Sequence, residues 1–285
     1  MTRLKRMVYT VCALLMLFAL WNVRKQNMTQ EDNRALQQEL SDLAHPSPQP
    51  TQADAPETVS RQEDVSAGRG LAVQNPWIDE LYARNEDVIG WLTVPNTVID
   101  YPVVQTLEDS DFYLNHSFDG MADSHGTLFA DCACWIGDGN NLIVYGHHMA
   151  DGTMFQNLTK YQSADFCLTN GDILFHTRDS TRHFRPVVVM RISESEAQEF
   201  PYHTAAELSS GEEYEAFFAS CAHYADWMAE KRPAYPAMLL TLSTCEYSKR
   251  NSRLVVVCAC TGMDTAPEPQ TEDASSALTQ ERNKP

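Results

Sequence analysis

A thiol, an imidazole and a guanidinium stand at three turning points of this sequence. Cys245 closes the β-rich run Leu239-Leu-Thr-Leu-Ser-Thr-Cys, and Arg253 opens the run Arg-Leu-Val-Val-Val eight residues on. His147 follows Val144-Tyr145-Gly146, where a strand-like run ends at a glycine. If the runs ending at 245 and starting at 253 are neighbouring antiparallel strands, Cys and Arg meet at one end of a sheet. A protonated imidazole and an arginine lower a thiol pKa, and the thiolate then attacks a carbonyl. The arginine holds the developing oxyanion. His147 and His148 would not serve together, because neighbours on an extended segment point to opposite faces. A strand-end His or Cys is more often structural, so spacing alone leaves that reading open beside the chemical one.

These residues need a sheet to position them, and the sequence supplies short β-rich runs. They cover 89–94, 98–104, 126–129, 141–145, 173–176, 184–192, 238–242 and 254–258, with turn residues such as Pro95-Asn96, Asp138-Gly139 and Asn170-Gly171 between them. Many short strands at modest spacing predict an antiparallel barrel or sandwich. Residues 77–83 fit a helix with an apolar stripe. Residues 211–229 predict an amphipathic helix inserted between two late strands.

The chain has 285 residues, enough for one or two domains with a sizeable core. Its 21 basic and 39 acidic side chains give a formal charge of −18, and no Lys or Arg occurs between Arg84 and Lys160. Such a chain repels phosphate backbones, so nucleic acid is not an expected partner.

Residues 7–23 form a mostly apolar run with Arg3, Lys5 and Arg6 before it and Arg24 and Lys25 after it. The run ends in the bulky residues Leu20, Trp21, Asn22 and Val23, without a small-x-small cleavage site. This predicts an uncleaved, single-pass signal anchor with its N-terminus inside. A cleaved signal peptide is the other reading, and both export the remainder.

Residues 1–25 are thus assigned to a cytoplasmic end and membrane anchor. Residues 26–75 are read as a juxtamembrane helix, near 29–43, and a flexible stalk rich in Pro, Gln, Ser and acid. The packed domain is 76–262, and 263–285 is an acidic, disordered tail.

Eight cysteines are present: Cys12, Cys132, Cys134, Cys167, Cys221, Cys245, Cys258 and Cys260. Their spacing is not that of a zinc ribbon, and a domain this large does not need a dense disulfide scaffold. Cys258 and Cys260 share one strand face, where small buried hydrophobes are the default. Cys132, Cys134, His147 and His148 are the one conceivable metal set; no metal or other cofactor is expected.

The motifs resemble those of the sortases, cysteine transpeptidases of the Gram-positive cell surface. Val144-Tyr-Gly-His147 resembles the family's histidine motif and Thr241-Leu-Ser-Thr-Cys245 its nucleophile motif, with Arg253 where the family has its catalytic arginine. The segments at 85–105, 112–118 and 149–155 are similar to class B sortases, as is the helix at 211–229. The resemblance covers about 77–262. It implies a closed eight-stranded β-barrel with N-terminal helices and a helix inserted between late strands. It also implies cleavage of secreted proteins after the Thr of a C-terminal sorting motif, one resembling Asn-Pro-x-Thr-x, and transfer from a thioacyl enzyme to a peptidoglycan amine. The implied catalytic residues are His147, Cys245 and Arg253. Ser243 and Thr244 would line the substrate groove, unless they are ordinary strand hydroxyls, and the backbone N–H of Glu246 would help hold the oxyanion. A pilin-polymerising sortase and a non-catalytic, wall- or metal-binding β-domain are the alternatives.

Overall fold

The computed structural model describes residues 3–45, 75–134, 140–246 and 252–265; at 3–10, 13, 19–30, 245 and 246 it describes the backbone. The elements in chain order begin with α1 (Arg3–Ala44), α2 (Trp77–Arg84), β1 (Val88–Thr93), β2 (Asp100–Val104), β3 (Leu128–Ala130) and β4 (Asn141–Tyr145). They continue with α3 (Ala164–Thr169), β5 (Ile173–His176), β6 (Ser180–Ser193), α4 (Glu194–Glu199) and α5 (Gly211–Tyr224). The last three are β7 (Ala225–Met228), β8 (Leu239–Glu246) and β9 (Ser252–Thr265). Three 3-10 segments, Phe112–Leu114, Phe155–Gln162 and Tyr202–Thr204, lie between strands.

Eight strands run β5-β1-β2-β3-β4-β8-β9-β6, and β6 pairs back to β5 to close the barrel, with β7 added along β6. The pairings β2–β3 and β4–β8 are parallel, so the barrel is mixed rather than antiparallel as the spacing of runs suggested. A parallel neighbour requires a long crossover. The segments between β2 and β3 and between β4 and β8 provide one each.

The alternation along β8 and β9 fills two layers. Leu240, Leu242, Leu254, Val256 and Cys258 face the barrel core, while Leu239, Val255, Val257 and Ala259 pack under α5 through Tyr214, Phe217, Phe218 and Cys221. Strands buried on both faces read as continuous apolar runs, as these do. Cys258 is fully buried and Cys260 packs against the same core, on the face that their spacing indicates.

The inserted helix stops at Tyr224, not 229. The side chain of Ser210 caps its start by accepting from Glu213 N, and residues 225–228 pair instead with β6 at Val188–Met190. That stretch of β6 lies beyond the β5 pairing, and an open edge offers backbone partners that outweigh helix propensity.

At the N-terminus, the helix expected near 29–43 is the end of α1, continuous from Arg3. Leu40 and Ala44 are buried against Ile78, Leu81, Trp91, Val104 and Phe129. His45 Nε2 meets Asp100 at 2.9 Å, and Arg84 pairs with Glu39 at 2.9 Å and Asp119 at 2.7 Å. Asn75 donates to Thr177 O at 2.7 Å, so both flanks of 46–74 are fastened to the barrel. The stalk expected there, and most of the expected tail, lie outside the described residues; Met263–Thr265 continue β9. Among the described residues no helix is long and apolar enough to cross a membrane.

Candidate active site

β8 and β9 place Cys245 directly opposite Arg253 in an antiparallel register. The short connection between them makes this apposition local. The third residue arrives by the parallel β4–β8 pairing, where Tyr145 is level with Ser243. Gly146 N extends that ladder by donating to Ser243 O at 3.2 Å. β4 ends at Tyr145, so His147 stands two residues past the last paired position, at the end of the sheet where β8 reaches position 245.

Two glycines set the histidine. A Cβ at Gly146 would lie 2.4 Å from Leu128 Cδ2 and 2.8 Å from Phe155 Cδ2, so only glycine lets β4 pass this close before His147. Gly126 has φ +62°, and a Cβ there would lie 2.5 Å from Tyr113 O and 2.7 Å from Leu114 O. It therefore brings the approach to β3 against the turn Phe112–Leu114. That turn matters because His147 Nε2 is 2.6 Å from Leu114 O. A carbonyl only accepts, so Nε2 carries the proton and Nδ1 is the nitrogen left for proton transfer.

His147 and Arg253 open onto one cavity of about 620 Å³, lined also by Leu114, Phe129, Asp131, Cys132, Tyr145, Tyr202, Ser243 and Ser252. Arg253 is exposed and forms no ion pair among the described residues. Tyr202 OH and Ser243 Oγ are hydrogen-bonded at 2.9 Å, and Tyr145 OH donates to Asp131 Oδ2 at 3.0 Å. Burial, and then the Asp131 charge, push the Tyr145 phenol far up, so it stays a donor.

Thr244 occupies the other row, with Leu240 and Leu242; it is buried, and its Oγ1 has no partner among the described residues. The backbone of Glu246 ends β8 opposite Ser252. Among the described residues no group of three or more His, Cys, Asp or Glu could hold a metal. Cys134 explains part of this, since its buried Sγ donates to Asn141 O at 3.4 Å and accepts from Ile143 N at 3.3 Å.

The Sortase domain family profile matches residues 92–261. The chain belongs to the sortase family. Sortase B of Listeria monocytogenes is 28% identical over 184 residues, covering 62% of this chain and 71% of that protein. The X-ray structure of Clostridium perfringens sortase B superposes with a TM-score of 0.60 at 28% identity, over 65% of this chain and 100% of that one. A Staphylococcus aureus sortase B–substrate complex gives a TM-score of 0.59 at 25% identity, over 67% of this chain and 86% of that one. The enzyme is therefore a cysteine transpeptidase of class B, with the closed barrel of sortase B.

Within the sortase barrel, the structure gathers His147, Arg253 and Ser243 on the cavity and the backbone of Cys245 beside them. Two participants had no signal of their own in the sequence. Tyr202 is a lone tyrosine in a 3-10 turn, and the Leu114 acceptor is a backbone carbonyl, which every residue type possesses.

Proposed function

We propose that this sortase is a membrane-anchored enzyme that cleaves secreted proteins after the Thr of a C-terminal sorting motif and joins them to a peptidoglycan amine. The single observation carrying this reading is the Cys245–Arg253 apposition beside His147 on one cavity. The Cys245 thiol gives its proton to His147 Nδ1, and the thiolate attacks the Thr carbonyl carbon, forming a C–S bond as the carbonyl electrons move to oxygen. Arg253 and the backbone N–H of Glu246 hold that oxyanion. On collapse the C–N bond breaks, and His147 gives the Nδ1 proton to the leaving amine. The incoming amine then attacks the thioester, loses its proton to His147 and expels the thiolate. Ser243 and Tyr202, joined by their hydroxyls, form part of the wall against which the peptide lies. Thr244 packs inward and supports that wall.

Support for the anchor comes from α1, where Val11, Leu14, Leu15, Met16, Leu17 and Phe18 are all exposed beyond the basic Arg3, Lys5 and Arg6. An exposed apolar band of this kind suits lipid, and the charge bias puts the N-terminus inside and the barrel outside. Residues 1–25 then form the anchor, and the catalytic domain is 76–262 together with the end of α1.

The test is the full chain in detergent with a fluorogenic sorting peptide and a cross-bridge amine. Cys245→Ala abolishes both cleavage and amine transfer, while Cys258→Ala retains them. Parent-like turnover by Cys245→Ala would remove it as nucleophile.

A further inference from the structure

Beyond the cavity lies a buried group of ionisable side chains that the proposed mechanism does not use. His125 precedes Gly126 on the approach to β3, and its side chain is 8% exposed. Nδ1 lies 3.1 Å from Asp123 Oδ1, and Nε2 lies 3.2 Å from Asp151 Oδ2. These carboxylates are 7% and 15% exposed, so water screens the set poorly. Two ionised carboxylates only accept, so each ring nitrogen must supply a proton, and the ring bridging them is an imidazolium. Asp123 accepts in addition from His125 N at 2.9 Å and from Asn33 Nδ2 of α1.

The two carboxylates belong to the two segments that hold His147. Asp123 and His125 lie on the segment that starts with the turn Phe112–Leu114, whose Leu114 carbonyl accepts the hydrogen bond from His147 Nε2. Asp151 lies in the loop that follows His147. That loop is closed by Phe155 N donating to His147 O at 2.8 Å, and Thr153 Oγ1 donates to Asp151 Oδ1 at 2.6 Å. His125 thus joins the acceptor segment to the segment carrying the imidazole.

We propose that His125 is a positioning residue for His147: its doubly protonated ring clamps the Leu114 segment to the 148–154 loop and so holds His147 in register with the cavity. The proposal rests on His147 being the acid–base residue. Removing the cation leaves Asp123 and Asp151 facing each other with no positive charge between them, and their repulsion separates the two segments. The charged groups facing His125 are Asp123 from its own turn and Asp151 from the loop after β4; α1 contributes the neutral Asn33. Tyr101 of β2 feels Asp151 as well, its phenol being pushed up first by burial.

The clamp has a defined pH window. The hydrogen bond to Asp123, opposed by burial and reinforced by Asp151, raises the His125 pKa. Its contribution is present below the ordinary imidazole pKa and is lost as pH rises through the raised value. Burial pushes Asp123 up, but the bonds from His125 and Asn33 outweigh it and hold the carboxyl low. That contribution is present above the ordinary carboxyl pKa and is lost as pH falls through the lowered value.

The experiment uses the full chain in detergent. Ring-nitrogen NMR of the parent shows both His125 nitrogens protonated at a pH well above the ordinary imidazole pKa. His125→Gln lowers kcat on a sorting peptide on the order of ten- to a hundredfold, as a misplaced acid–base group does. KM and the Cys245 alkylation rate stay near parental. Adding Asp151→Asn relieves the repulsion and recovers part of kcat, which loss of a merely structural contact does not predict. A singly protonated His125 in the parent, or parental kcat in His125→Gln while His147→Ala is inactive, overturns the clamp. Full activity of His147→Ala instead overturns the catalytic reading on which the clamp rests.

Discussion

Gly146→Ala is the sharpest probe of how the barrel aims its histidine. The added Cβ would stand 2.4 Å from Leu128 Cδ2, against the 3.4 Å at which ordinary van der Waals contact begins, so that methyl must recede by 3.4 − 2.4 = 1.0 Å. The Phe155 ring, 2.8 Å away, must also shift. Leu128 and Phe155 are both fully buried in the barrel core, where close packing leaves little room to give. Overpacking of this kind costs about 2 kcal/mol. For a domain of this size that lowers Tm by about 6 °C. The effect on activity is larger in proportion, because His147 is the next residue and a 1 Å misplacement of a reacting group costs about 10²-fold. Thermal unfolding and peptide turnover of the full chain in detergent measure both. Gly146→Ala paired with Leu128→Ala opens space for the new methyl and recovers part of the turnover. A single Gly146→Ala variant with parental Tm and turnover would refute the argument that the close approach of β4 sets the histidine.

Arg253→Lys retains the fold but lowers kcat/KM on the order of 10²–10³-fold, because a mobile ammonium replaces a planar fork of donors. The pH dependence of Cys245 alkylation changes little. A strongly raised alkylation pKa would assign Arg253 to thiolate activation instead. Leu40→Ala empties a fully buried site between α1 and the barrel, costs about 2–5 kcal/mol and lowers Tm by on the order of 10 °C. An unchanged Tm would show that the end of α1 is no part of the fold.

The apposition of Cys245 and Arg253 was legible in the sequence because two β-rich runs separated by a short connection pair antiparallel, and a hairpin puts its closing and opening residues opposite each other. The period of two along β8 and β9 likewise encoded which side chains face the core, Cys258 and Cys260 included. Apolar periodicity announced the helix at 211, the motifs around His147 and Cys245 indicated a sortase, and the segments at 85–105, 112–118 and 149–155 indicated class B. Strand direction and partner choice were not legible, because alternation marks faces and says nothing about which strand lies alongside. The parallel β4–β8 pairing that carries the chain toward His147 at the Cys245 end of the sheet therefore belongs to the tertiary structure. So does the end of α5 at Tyr224, where the open edge of β6 captured residues with helical pattern. The same holds for Thr244, turned inward by its place in the register, and for α1, whose end buries Leu40 against elements from four parts of the chain. The Leu114 carbonyl is the extreme case. A backbone acceptor has no side-chain identity, so only the packed fold could present it to His147.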